Sequence, residues 1–519
     1  MSETPGAKPA AASDGDRALT GIVGLDDVLA GGLTRNRLYL VEGTPGAGKT
    51  TLALQFLLEG LRLGEPGMYV TLSETADELR ASAATHGWSL DGISVVELVP
   101  EADLGAEQEQ TLLHPAEFEL GETTGRILEK VQQERPARLV LDSLSELRLL
   151  AQSALRYRRQ ILALKHRFTS HRCTVLLLDD QTAEPRDLQL HSIVHGVIAL
   201  EQSNSIYGAE QRSLRVVKLR GVRFRGGNHD YAIETGGLAV YPRLVAPEHH
   251  GKFSPVPVGT GVAELDALLG GGLVPGTSTL LMGPTGTGKT STVTRCILTA
   301  LERGDPVAVF MFDEGLGTFF ARSAALGMDL WPHLDTGLLQ VRQIEPAELS
   351  PGRFVQHVRH AVEVDGARAV LIDSLNGYLH AMPNERYLLL QMHELLRYLS
   401  QRGVMALLIL GQHGLVGEVR ADVDLSYLSD TIILMRFFEA AGAVRRGLSV
   451  VKTRTSGHEP TIREFSLGPT GLAIGAILHE FDGALTGTPV YRGSAGALME
   501  ETSRPPPTTP PRAGRGRPG

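Results

Sequence analysis

Residues 20–50 read TGIVGLDDVLAGGLTRNRLYLVEGTPGAGKT, and residues 260–290 read TGVAELDALLGGGLVPGTSTLLMGPTGTGKT. The two stretches match feature for feature without a gap. A G-x-x-x-L-D-x-L/V-L-x-G-G-L block comes first, then an apolar strand, then a glycine-rich loop closing on Gly-Lys-Thr. A repeat of this length marks two copies of one domain, each large enough to bury its own core.

The landmarks downstream repeat as well. Leu54, Leu57, Leu58 and Leu61 follow the first loop, and Val293, Cys296, Ile297 and Ala300 follow the second. Their i, i+3, i+4, i+7 spacing predicts a helix with one apolar face. Next comes an apolar run, MYVTL at 68–72 and VAVFMF at 307–312. A run ending in aspartate follows, ARLVLDS at 137–143 and ARAVLIDS at 367–374, then a third run, TVLLL at 174–178 and VMALLIL at 404–410. None alternates, as expected of parallel strands buried on both faces. The fold class is therefore α/β: two tandem domains, each a mostly parallel twisted sheet flanked by helices. The first spans 16–247 and the second 248–485, parted by the polar, turn-rich APEHHGKFSPVP. Residues 1–15 and 486–519 read as terminal tails. The last of these, proline-rich and basic from about 502, has the composition of a disordered segment.

Bulk composition narrows the class. Of 519 residues, 42% are hydrophobic and 21% charged, as in ordinary globular proteins. No stretch approaches the roughly 20 apolar residues of a membrane helix, and the N-terminus lacks the apolar core of a secretory signal. A cytoplasmic protein with no membrane partner is expected. A net charge of −9 argues against a generic nucleic-acid-coating protein. The two cysteines, Cys173 and Cys296, are too few and too far apart for a disulfide framework and read as buried small hydrophobes.

Gly43-Thr44-Pro45-Gly46-Ala47-Gly48-Lys49-Thr50 and Gly283-Pro284-Thr285-Gly286-Thr287-Gly288-Lys289-Thr290 both fit G-x-x-x-x-G-K-[ST], with Thr51 and Ser291 next in line. Glycines let backbone N–H groups close around phosphate oxygens. A helix that starts at the lysine points its positive end at the same anion. Lys49 and Lys289 are expected to reach the β- and γ-phosphates of ATP, and Thr50 and Thr290 to ligate Mg²⁺. Asp142 and Asp373 each end an apolar strand and complete the metal set. Hydrolysis also needs a group to orient or deprotonate water. Ser73-Glu74 and Asp313-Glu314, just past the second strand, supply Glu74, Asp313 and Glu314 as candidates. Gln181 and Gln412, after the next strand, are candidate γ-phosphate sensors, while His195 and His413 stay unassigned. Near the end of each copy, VVKLRG and VVKTRT place Lys218 with Arg220 and Lys452 with Arg454 on one face of a strand, far downstream of their own loop.

This ordered set resembles the KaiC-like family of RecA-superfamily ATPases. The resemblance rests on both leading blocks, both P-loops, LVLDS and LIDS, KLRG and KTR, SDTIILMRFFE (429–439) and TIREF (461–465), and covers about residues 15–485. It implies two RecA-like domains in a double-layered homo-hexameric ring with ATP at subunit interfaces. It also implies that Lys218, Arg220, Lys452 and Arg454 act on a neighbouring subunit's nucleotide. The family's water-activating position is a Glu-Glu pair, of which Ser73 and Asp313 replace the first member. The family's autophosphorylated Ser-Thr pair falls on Ser426 and Tyr427, so a phosphorylatable serine remains. The resemblance implies a regulatory ATPase with a signalling partner and a Ser/Thr autokinase activity. Two alternatives stand beside it. A DNA-dependent motor would need basic, aromatic-bearing loops; Arg156-Tyr157-Arg158-Arg159 is the candidate, which on a helix reads as an ordinary solvated or interface face. The third is a switch that binds ATP without hydrolysing it.

Overall fold

A computed structural model describes residues 16–98, 115–151, 153–180, 188–203, 208–380, 385–412, 427–440, 442–455, 457–469, 471–479, 481–482 and 490–491. Gln181, His413, Ser426 and most of both tails lie outside these residues. The chain divides into two compact units. One runs up to Val245 and takes in Glu345–His360 and a segment ending at Gln391; the other holds Ala246–Ile344, Ala361–His380 and the chain from Met392 on.

Each unit carries one nine-stranded sheet. In the first, the strands are β1 (Leu38–Gly43), β2 (Gly67–Thr71), β3 (Ile93–Glu97), β4 (Arg138–Asp142), β5 (Thr174–Asp180), β6 (Gly196–Ser203), β7 (Gln211–Leu219), β8 (His229–Glu234) and β9 (Gly237–Tyr241). In the second they are β10 (Ser278–Pro284), β11 (Val307–Met311), β12 (Leu339–Gln343), β13 (Ala369–Asp373), β14 (Met405–Gln412), β15 (Thr431–Ala440), β16 (Ala443–Thr453), β17 (Arg463–Gly468) and β18 (Gly471–Ile477). The order across the first sheet is β3-β2-β4-β5-β1-β6-β7-β8-β9, and across the second β12-β11-β13-β14-β10-β15-β16-β17-β18. The topologies are identical. From β3 to β6, and from β12 to β15, neighbours are parallel. The remaining strands extend each sheet antiparallel.

The unbroken apolar runs have a simple cause. In the first unit Tyr39, Val41, Tyr69, Val140, Leu176 and Leu178 face one core, and Leu38, Leu40, Met68, Val70, Leu139, Leu141, Val175 and Leu177 face another. Successive side chains point to opposite faces, so a strand covered on both sides must be apolar at every position. Helix α1 (Lys49–Arg62) covers the first face; a helix over Pro115–Glu134 and one over Ala154–Ser170 cover the second.

The leading block also has a structural use. Asp26 Oδ1 accepts from the Thr20 amide and hydroxyl, both at 2.9 Å, and Asp266 Oδ1 accepts from the Thr260 amide at 2.8 Å. Each aspartate thus fastens the turn before a short helix that buries Leu25 and Val28, or Leu265 and Leu268.

Two expectations change. The apolar face of α1 is shifted from the one its leucines suggest: Leu54 and Leu57 are buried as expected, with Ala53, Phe56 and Gly60, but Leu58 is half-buried and Leu61 is 36% exposed. The sheet decides this, because the Arg138 side chain lies against Gly60, where a Cβ would come within 2.4 Å of it. Cys296 is half-buried rather than buried, its thiol 3.4 Å from the Thr292 carbonyl oxygen, whereas Cys173 is fully buried. Among the described residues, no helix is long and apolar enough to cross a membrane.

Candidate nucleotide sites

In the first unit, β1 ends at Gly43 and α1 begins at Lys49. Gly48 makes the hinge in the left-handed region, at φ 86°, where a side chain would be strained. Lys49 Nζ donates to the carbonyls of Gly43 at 2.9 Å and Thr44 at 3.0 Å, and meets Asp180 Oδ1 at 2.6 Å. Asp142, at the C-terminal end of β4, is buried. Its Oδ2 receives the Tyr69 hydroxyl at 2.5 Å and lies 3.4 Å from Thr50 Oγ1. Burial raises the Asp142 pKa, and the Tyr69 bond works against that rise. Glu74 is held by its backbone: its amide donates to Thr71 Oγ1 at 2.9 Å, and the same hydroxyl donates back to its carbonyl at 2.8 Å. Burial, then Asp142, Glu78 and Asp180, push its carboxyl upward. Ser73 is exposed.

The second unit repeats the frame with different neighbours. Helix α2 (Lys289–Glu302) starts after Gly288, at φ 102°. Lys289 Nζ donates to the carbonyls of Gly283 and Pro284, each at 2.8 Å, and burial pushes its pKa down to about 8. Thr290 Oγ1 donates to Asp373 Oδ2 at 2.7 Å. Burial pushes Asp373 up to about 6; Thr290 opposes this, and Glu314 and Asp313 add to it. Glu314 is paired with Arg322 at 2.6 Å, and Asp313 accepts a hydrogen bond from the Ser374 hydroxyl. These groups line a cavity of about 710 Å³ with Thr285 and Gln412. Among the described residues the Gln412 Oε1 is buried without a hydrogen-bond partner, a polar atom on the cavity wall.

The residues present fit a nucleoside triphosphate with magnesium. Both loops turn on left-handed glycines, and a Cβ at Gly283 would lie 2.2 Å from the Met435 carbonyl oxygen. In each, a hydroxyl and a buried carboxylate oxygen stand together, the hard oxygen donors that Mg²⁺ prefers. Among the described residues no cluster of three or more His, Cys, Asp or Glu is arranged to hold a metal. Phosphate oxygens and water would complete such a shell, as is usual for magnesium in phosphoryl-transfer sites.

The downstream cations stand at the other end of the sheet. Lys218 pairs with Val197 and so lies level with Leu40; Arg220 N donates to the His195 carbonyl, level with Leu38. Leu38 lies five positions before Gly43, roughly 16 Å of strand, and Leu40 three positions, roughly 10 Å. A β-bulge sets Val217 aside just before Lys218, and the matching bulge at Val451 precedes Lys452. Both lysines reach carbonyls of the turn before the neighbouring strand: Lys218 to His191 and Val194, Lys452 to Ser429. Arg220 donates to the Ser192 carbonyl and Arg454 to that of Tyr427. In the first unit Arg220 also lines a cavity of about 510 Å³ with Arg37, Lys165, His166 and His195, and no carboxylate lines it among the described residues. In the second unit Asp430 takes the place of His195 and pairs with Arg454 at 3.5 Å.

A family model for the KaiC ATPase matches residues 18–245 and again residues 258–478. The chain belongs to the KaiC ATPase family. Similar proteins include the circadian clock protein KaiC3 of a Synechocystis species, 28% identical over 486 residues that cover 91% of this chain and 94% of the relative. The circadian clock oscillator protein KaiC of Acaryochloris marina is 26% identical, and that of Synechococcus elongatus 27%, each over 91% of both chains.

Membership in the KaiC family makes this a P-loop ATPase with tandem RecA-like domains. Its two copies nevertheless differ where the sequence gives little warning. Tyr69, which holds Asp142, stands where the second copy has Val309. The salt-bridging Arg322 stands where the first has Ser82. Asp180 could have been noticed as the acid ending TVLLLDD; Tyr69 and Arg322 carry no local motif, since only tertiary contact gives them a partner. Tyr157 is buried, with the Arg148 guanidinium over its ring, so it offers no face for a base to stack on.

Proposed function

We propose that this protein is an ATP-hydrolysing regulatory ring whose two nucleotide sites per chain are each completed by a neighbouring copy. Lys49 and Lys289 grip the phosphates. Thr50 with Asp142, and Thr290 with Asp373, hold Mg²⁺, which when bound neutralises phosphate charge. Glu74, Glu314 and Asp313 orient the attacking water. Lys218 with Arg220, and Lys452 with Arg454, reach the γ-phosphate of the adjacent subunit. The observation that carries this reading is the separation within each unit: loop and carboxylates at the C-terminal edge of the parallel strands, the lysines about three and the arginines about five strand positions toward the opposite edge. Cations so placed cannot serve their own loop. A homo-hexamer supplies the facing site, as the family resemblance implies. The similar proteins are named as circadian clock proteins, which supports a regulatory role; a signalling partner and a cytoplasmic location belong to the same proposal. Autophosphorylation at Ser426 belongs to the same proposal and is checked by phosphate incorporation into wild type and Ser426→Ala.

Subunit mixing tests the shared site. In a Lys289→Ala background, Lys49→Ala destroys the first loop, while Lys218→Ala with Arg220→Ala removes the cations. Each parent is expected to be inactive and the mixture to recover turnover in rings where an intact loop meets intact cations. Rings that form but regain no turnover on mixing overturn the proposal. Wild-type turnover no higher than background, and unchanged by Glu74→Gln with Glu314→Gln, would favour the non-hydrolysing switch.

A further inference from the structure

We propose that Asp180 makes nucleotide binding at the first phosphate loop depend on magnesium far more than at the second. The inference rests on the reading of both loops as Mg–ATP sites and adds a residue that separates them. Strand β5 lies beside β1 in a register that sets Asp180 level with Gly43, the first residue of the loop. Its carboxylate therefore meets the loop lysine, with Lys49 Nζ and Asp180 Oδ1 at 2.6 Å. The Lys49 side chain is 9% exposed, so little water competes with this pair. In the second unit β14 lies beside β10 in the same register, and Gly411 is level with Gly283. No carboxylate can arise there, and Lys289 donates to loop carbonyls.

The surrounding charges sharpen the difference. Asp142 and Asp180 lie close enough to Glu74 to disfavour its ionised form, and Asp180 does the same to Asp142, with Lys49 the opposing cation. The adjacent Asp179 is taken by Arg148 at 2.5 Å. In the second site Asp373, Asp313 and Glu314 face both Lys289 and Arg322. A triphosphate entering the first loop must take Lys49 from Asp180 and leave that carboxylate beside phosphate oxygens. Like charges at such short range repel strongly in a partly buried site. A divalent cation arriving with the phosphates relieves the repulsion, because it gives the oxygens and the released carboxylate a shared counter-charge. At the second loop the triphosphate meets a lysine held by loop carbonyls, with no carboxylate at the position of Asp180, and magnesium has less repulsion to relieve.

The test uses the full chain with Lys289→Ala, which leaves only the first loop, and with Lys49→Ala, which leaves only the second. Binding of ATPγS is measured with excess Mg²⁺ and with EDTA, and the ratio of the two dissociation constants is compared. The ratio is expected to be at least about tenfold larger for the first loop. Asp180→Gly, which installs the second copy's residue, and the near-isosteric Asp180→Asn are each expected to tighten binding in EDTA by about tenfold or more, with a smaller change in Mg²⁺. Normal binding in Mg²⁺ with a ratio that neither substitution alters overturns the role of Asp180 alone. Failure of the Lys289→Ala chain to bind ATPγS even in Mg²⁺ overturns the site reading and this inference together.

Discussion

Replacing Tyr69 by Phe removes one hydroxyl from a fully buried side chain and tests how Asp142, the proposed metal carboxylate of the first site, is held. Tyr69 is 0% exposed, and burial, with Asp142 next, keeps its phenol protonated well beyond neutral pH, so it acts as a donor. Its bond to Asp142 Oδ2, at 2.5 Å, is to a charged and buried acceptor. Such bonds contribute roughly 1.5–3 kcal/mol. In the variant, the same oxygen keeps only Thr50, at 3.4 Å. The first unit should lose about 2 kcal/mol, which for a domain of this size lowers its midpoint by roughly 4–8 °C. The bond favours ionised Asp142, so its loss raises that pKa further; the penalty is full while Asp142 is charged and shrinks as pH falls through its titration. Calorimetry provides the measurement, and the second unit, with Val309 at the matching position, is an internal reference. A double-mutant cycle with Asp142→Ala isolates the pair. A coupling near zero, with both transitions unmoved, would refute the assignment of Tyr69 as the support of Asp142.

Three further outcomes follow from other contacts. Gly48→Ala should cost about 1–2 kcal/mol, because φ is 86° and the new Cβ would lie 2.7 Å from Ile233 Cδ1; nucleotide affinity at the first loop should fall with it, measured by titration of the Lys289→Ala chain. Arg138→Ala should destabilise the first unit by about 3–5 kcal/mol in chemical denaturation, since the fully buried guanidinium binds Glu65 at 2.6 Å and the carbonyls of Leu19 and Phe56. Lys289, depressed to about 8 by burial, should take up a proton when the second loop binds triphosphate. Anions favour the charged lysine, so uptake should grow as pH rises through 8 and appear as buffer-dependent binding heat; its absence at pH 8.5 would count against a depressed lysine.

The sequence by itself determined the repeat, the α/β class, both phosphate loops and the two aspartates. The reason is that each depends on chemistry local in the chain: a loop that must wrap an anion needs glycines and a lysine at fixed spacing, and a strand covered on both faces must be apolar throughout, as Leu38–Gly43 and Arg138–Asp142 are. Tertiary structure alone decided how the two sites differ. Asp180 reaches Lys49 because parallel pairing brings together residues 131 positions apart, Tyr69 supports Asp142 across 73, and Arg138 turns the buried face of α1 away from Leu61 toward Gly60. Strand order and register set those meetings, and neither is written in any one segment.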